Sequence, residues 1–121
     1  MNVWVAIFLG GGTGSVLRYG LTRLLLALDL RGAFPWATLG ANVISTALLA
    51  VLMLKWAPTA DRATLRAFIG VGICGGFSTF STFSYENFLL LREGLAGFAI
   101  LNIVINVGLC LGLFYLLART A

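Results

Sequence analysis

Gly75-Gly76-Phe77-Ser78-Thr79-Phe80-Ser81-Thr82-Phe83-Ser84-Tyr85-Glu86 is the stretch on which the reading of this chain turns. It places five Ser and Thr hydroxyls and a carboxylate in the middle and far end of an apolar segment that runs roughly over residues 65–91. A lipid-facing helix has no use for such a set. Two successive glycines weaken a helix, so the spacing predicts a break at Gly75-Gly76. Non-helical backbone at membrane depth persists only where it is buried in protein or lines a water-filled cavity. A break there frees carbonyl oxygens, which suit a hard cation, and a two-fold axis through it would double their number.

The rest of the chain explains why membrane depth is the right frame. Of 121 residues, 60% are hydrophobic and 10% charged, and the mean hydropathy is +1.03, which leaves too few charges to cover a water-facing surface. Four apolar stretches, roughly 3–28, 36–56, 65–91 and 95–118, use up nearly all of it. Each is near the ~20 residues that cross ~30 Å of hydrocarbon. The expected fold is therefore an all-α integral membrane protein, a single four-helix domain over residues 1–121 with its third helix broken at the centre. Asp29-Leu30-Arg31-Gly32-Ala33 is the expected first loop, with Pro35 near the start of the next helix, where proline is tolerated. The first stretch has no cationic leader and is longer than the apolar core of a signal peptide. It is expected to be retained.

Charge placement bears on orientation. Four spans put both termini on one side, with Lys55, Arg62, Arg66 and Arg119; Arg23, Arg31 and Arg92 fall on the other, and Arg18 lies too deep to count. Lys and Arg near the spans set orientation, and this near-tie allows insertion both ways. Copies of opposite orientation associate about a two-fold axis in the membrane plane, so an antiparallel, dual-topology homodimer is expected.

Several functions are excluded. The net charge of +4 comes from basic residues scattered at helix ends, not from a stripe that could follow a phosphate backbone. The chain has no histidine and no Cys or carboxylate cluster with metal-ligand spacing. Cys74 and Cys110 lie in apolar stretches, where a free thiol acts as a small hydrophobe. Gly70-x-Gly72-x-x-Gly75 matches a dinucleotide fingerprint but lies in an apolar helix with no preceding strand. Gly10 and Gly14, Gly72 and Gly76, and Gly108 and Gly112 are each four apart, a spacing that lets helices approach closely.

Past the break, Phe77, Phe80 and Phe83 recur every three residues along one drifting helix face. An aromatic stripe usually packs. Its interleaving with Ser and Thr favours function, because aromatic rings carry a positive edge that can face an anion. Asn42 offers amide donors at membrane depth in the second span, although a lone intramembrane Asn is often interhelical glue.

Gly10-Gly11-x-x-Gly14-x-x-x-Arg18-Tyr19, Asn42, and Gly75-Gly76-x-Ser78-Thr79-Phe80-Ser81-Thr82-Phe83-Ser84-x-Glu86 resemble the Fluc, or CrcB, family of fluoride channels over the whole chain. The resemblance implies a dual-topology homodimer of the bacterial inner membrane. It would export toxic fluoride passively through two antiparallel pores, each drawing on both subunits. It also implies an aromatic box of Phe80 and Phe83 with Asn42 beside it, and hydroxyl donors at Ser81, Ser84 and Thr38. Arg18 would lie near a vestibule and Glu86 near the far end of the pore. A central structural sodium ion would be held by the backbone carbonyls of Gly75 and Ser78 from each subunit. Members often have Thr where Ser78 stands, a change that a carbonyl ligand does not feel. Asn102 and Asn106 stand where some members carry Tyr, Ser or Thr, and Asn106 is a candidate replacement for a hydroxyl donor.

The chemistry suits such a pathway. Fluoride is small and strongly hydrated, and a fixed cation in a narrow pore would hold it too tightly, whereas conduction needs weak, repeated sites. A hydrogen bond to a charged group gives only about 1.5–3 kcal/mol net, so several donors must act in series. Two rivals remain. A small proton-coupled drug antiporter needs a protonatable group at membrane depth, for which Glu86 is the acidic candidate in the third span. A non-transporting scaffold would leave the polar third span unexplained. An enzyme is disfavoured, since Ser81 or Ser84 as nucleophile would need a base within reach.

Overall fold

The computed structural model of the chain describes residues 2–28, 34–56 and 58–120. The expected loop at 29–33, with Arg31, lies outside the described residues. Among those described, all regular structure is helical and forms four rods. The first is α1 (Val3–Ala27), started by the Asn2 side chain, which accepts a 2.7 Å bond from Trp4 N–H. The second is α2 (Trp36–Lys55). Its last carbonyls, which a helix leaves without partners, are met by Arg66, whose Nη1 donates to the Leu52 and Trp56 oxygens at 2.9 and 2.8 Å.

The third rod is composite. A 3₁₀ turn (Ala60–Arg62) leads into α3 (Ala63–Arg66), a wide stretch of i→i+5 bonding (Ala67–Ile73), α4 (Cys74–Phe77) and α5 (Ser81–Arg92). Gly94, at φ 79°, then turns the chain. Leu95 N–H donates to the Leu90 oxygen at 2.8 Å and Gly94 N–H to that of Leu91 at 3.2 Å, a Schellman ending. The last rod, α6 (Ala96–Arg119), follows at once.

Three stretches are both long and apolar enough to cross a membrane: Trp36–Lys55, Ala60–Arg92 and Ala96–Arg119. The protein is a multi-pass membrane protein. At 25 residues α1 matches them in length, but its glycine run, Thr13, Ser15 and Arg18 dilute its hydropathy.

Pairings along the rods give their directions. Gly10 abuts Phe68 and Gly72, and Gly14 abuts Ile73 and Phe77, so α1 runs parallel to the third rod. Ser45 pairs with Cys74, and Asn42 with Thr79, so α2 runs against it. Lys55 Nζ donates to Thr120 Oγ1 at 3.0 Å, which puts the C-terminal ends of α2 and α6 together.

Two of the three glycine pairs do what their spacing suggests. A methyl on Gly10 would strike the Phe68 carbonyl oxygen, one on Gly14 that of Ile73, and one on Gly76 that of Gly11. Backbone meets backbone here, and only glycine permits it. Gly108 and Gly112 have no such neighbour within 4 Å among the described residues.

The break departs from expectation in position. Gly75 and Gly76 stay helical in α4, and the chain leaves the helix at Ser78, which is extended at ψ 158°. Gly76 is held in register by its contact with α1, whereas the amides that would continue the helix are taken by side chains. Thr79 N–H donates to Asn42 Oδ1 at 3.0 Å, and Thr82 N–H donates to Thr79 Oγ1 at 3.1 Å, capping α5. The oxygen of Cys74, the first residue of α4, accepts from Ser78 N–H, Ser78 Oγ and Ser45 Oγ at 3.0, 2.8 and 2.8 Å.

Candidate functional site

The break opens onto a groove of about 250 Å³. Asn42 and Thr46 of α2 form one side and Asn106, Val107 and Cys110 of α6 another, while Ser78, Thr79 and Phe80 of the break and Phe83 of α5 complete it. Among the described residues no charged one lines it. Its polar groups are hydroxyls, carboxamides and backbone, all neutral, and its aromatic surface comes from two rings whose centroids lie 5.8 Å apart at 39°. Phe83 is buried. Phe80 is 77% exposed, so one wall of the groove is open within a single chain.

The groove's hydrogen bonds sort its donors. Asn42 Nδ2 donates to Asn106 Oδ1 at 3.0 Å. Asn106 Nδ2 donates to the backbone oxygen and to Oδ1 of Asn102 at 2.9 and 2.7 Å. Both N–H groups of Asn106 are thereby committed, and the residue offers an acceptor to Asn42.

Residues 5–118 match the family described as "CrcB-like protein, Camphor Resistance (CrcB)". The chain belongs to the CrcB family. Its relatives include proteins named fluoride-specific ion channel FluC. That of Shewanella piezotolerans is 42% identical over 96% of this chain and 93% of its own length. Another, of Pyrococcus furiosus, is 46% identical over 84% of this chain and 80% of its own.

In this CrcB-family chain the fold brings some of the expected site residues together and sets others apart. Asn42, Phe80, Phe83, Asn106 and Ser78 share the groove. Ser81 lies on its rim, with Oγ 3.3 Å from Thr79 Oγ1. Ser84 is exposed one turn further along α5. Thr38, buried near the start of α2, faces Glu86, whose Oε1 is buried with no hydrogen-bond partner among the described residues. Arg18 turns its Nε to the Gly76 oxygen at 3.2 Å, where it caps the end of α4.

Gly75 and Ser78 fit a hard cation in one definite respect. Their carbonyls would normally accept from Thr79 and Thr82 N–H, and both amides are diverted, to Asn42 and to Thr79 Oγ1. Two carbonyl oxygens at the break are released from the helix, which is the donor chemistry such an ion takes.

Sequence reasoning passed over Thr46, Thr79 and Asn87. Thr79 is both cap and bridge to Asn42. Asn87 accepts from Asn102 Nδ2 at 2.9 Å, a pairing that the tight Gly94 turn brings about. An available signal was the i, i+4 spacing of Asn102 and Asn106, which puts two amides on one face of an otherwise apolar helix.

Proposed function

We propose that the protein is a fluoride-selective channel, as its relatives' name says of them, and that it exports fluoride passively. What carries the reading is one groove that combines neutral hydrogen-bonding groups with two aromatic rings and, among the described residues, no lining charge, in a chain of the CrcB family. A small anion leaving water there exchanges hydration for several modest contacts, none strong enough to trap it. No bond is made or broken, so the activity is transport and not catalysis.

In this reading α1 is the fourth span, and the protein works as an antiparallel dual-topology homodimer in the bacterial inner membrane. The exposed Phe80 and the open wall of the groove support a second copy completing each of two pores. Phe80 and Phe83 form the aromatic box, and Asn42 is the amide donor beside it. Ser81 and Ser84 serve the approach, with Thr38 and Glu86 further along. The carbonyls released at Gly75 and Ser78, doubled by the dimer axis, would hold a structural sodium ion. Replacing sodium on both sides by a large organic cation is expected to lower fluoride flux. Sodium moving with fluoride in a fixed ratio would contradict that role.

The test of the function is efflux from fluoride-loaded liposomes, followed with a fluoride electrode beside a chloride control. Rapid fluoride release with chloride retained is expected; a well-folded protein that releases no fluoride refutes the reading. The unpartnered Glu86 oxygen favours proton-coupled export as a second reading. That reading requires efflux to collapse a proton gradient and to stop in Glu86→Gln.

A further inference from the structure

Four carboxamides form a head-to-tail chain from the helix break to the contact between α5 and α6. Thr79 N–H donates to Asn42 Oδ1, Asn42 Nδ2 to Asn106 Oδ1, Asn106 Nδ2 to Asn102 Oδ1, and Asn102 Nδ2 to Asn87 Oδ1, over 2.7 to 3.0 Å. A carboxamide can usually turn its oxygen and nitrogen about, since both ends hydrogen-bond. Two backbone groups remove that freedom here. Thr79 N–H only donates, so the Asn42 oxygen must face it. The Asn102 backbone carbonyl only accepts, and it takes a 2.9 Å bond from Asn106, so the Asn106 nitrogen must face α6. The two anchors impose the same direction on the chain.

Direction decides what an anion meets. Asn106 has committed both its N–H groups to Asn102, and Asn42 uses one on Asn106. The second N–H of Asn42 has no acceptor among the described residues, and Asn42 lines the groove. Were Asn42 alone reversed, it would oppose oxygen to oxygen at Asn106 and N–H to N–H at Thr79, and would present lone pairs to the anion. We infer that Asn106, Asn102 and Asn87 are positioning residues that hold the donor edge of Asn42 toward the ion path. Asn102 is fully buried and Asn87 nearly so, and neither lines the groove. Both act through Asn106. The inference rests on the fluoride-channel reading for its consequence, but the orientation of Asn42 is measurable apart from transport.

The experiment pairs fluoride flux in liposomes with the side-chain NH₂ resonances of Asn42 in the purified full-length protein, assigned by their loss in Asn42→Ala. Asn102→Leu keeps the side-chain shape and removes both its links. Both backbone anchors remain, so flux is expected to fall by less than the roughly tenfold attached to losing one hydrogen bond to a charged group, and the Asn42 resonances are expected to move. Asn87→Leu, one link further from the groove and gentler on folding, is expected to move the same resonances less and to lower flux less. Unmoved Asn42 resonances in both variants overturn the inference, and so do displaced resonances with wild-type flux. A wild-type protein that conducts no fluoride overturns the functional reading instead, while the resonances still decide the relay.

Discussion

The third rod contains two regions governed by different hydrogen-bonding partners. Over 67–77 backbone amides bond within the rod, glycines bring α1 to backbone contact, and the chain stays helical in spite of three glycines from Gly72 to Gly76. Over 78–82 side chains intercept the Thr79 and Thr82 amides, and the rod opens there in spite of having no glycine at all. Glycine here closes the structure, and Ser, Thr and Asn open it. Local helix weakness is outweighed by a tertiary contact in the first region and exploited by a tertiary hydrogen bond in the second.

This contrast can be broken at several points, and the largest effect belongs to the glycine side. Gly76→Ala pushes a methyl into the Gly11 carbonyl oxygen, a backbone atom that cannot yield as a side-chain tip would. The overpacking should cost about 1–3 kcal/mol or more, and loss of most folded protein on size-exclusion chromatography is expected. Gly97→Ala, with nothing within 4 Å, is the matched control. Its thermal midpoint should be unchanged or slightly raised, since Ala is favoured over Gly inside a helix by roughly 0.5–1 kcal/mol.

Next come the variants that act on transport. Phe83→Ile and Phe80→Ile replace ring edges with aliphatic surface and should each remove most fluoride flux, to about a tenth of wild type or less if the edges supply even ~1.4 kcal/mol to passage, with oligomeric state retained. Unchanged flux in both would remove the rings from the pathway. Asn42→Leu should lower flux similarly and also destabilise the fold by about 1–3 kcal/mol, because Thr79 N–H loses its acceptor. Chemical denaturation would register that second loss, which Phe80→Ile should not produce. Thr79→Val has the smallest expected effect. It removes the cap on Thr82 N–H, worth ~1 kcal/mol, and faster amide exchange at the start of α5 would report it.

Most of the architecture was legible because hydropathy alone marks apolar rods of this length. The expected spans 3–28, 36–56, 65–91 and 95–118 end within a residue or two of α1, α2, α5 and α6 at their termini. The third rod's true start at Ala60 was not visible, since Asp61, Arg62 and Arg66 read as a connection. The break was displaced by about one turn because glycine is a local signal, whereas Asn42 acts across 37 residues of sequence. Asn42, Phe80, Phe83 and Asn106 stood out as polar or aromatic residues in an apolar setting, and they do meet in one groove. Asn87 did not, because its partner at Asn102 is set by the turn between α5 and α6 and not by any spacing within one helix. Arg18 was expected near a vestibule; its bond to Gly76 is a contact between rods that no sequence pattern announces.

The most direct test of the central claim, that a groove of neutral donors passes fluoride and little else, is the zero-current voltage of the purified protein in a planar bilayer. Fluoride and chloride gradients would be set in opposition at equal pH. Reversal at the fluoride equilibrium potential is the expected result. Reversal at the chloride potential, or a value that follows an imposed pH gradient, would contradict it.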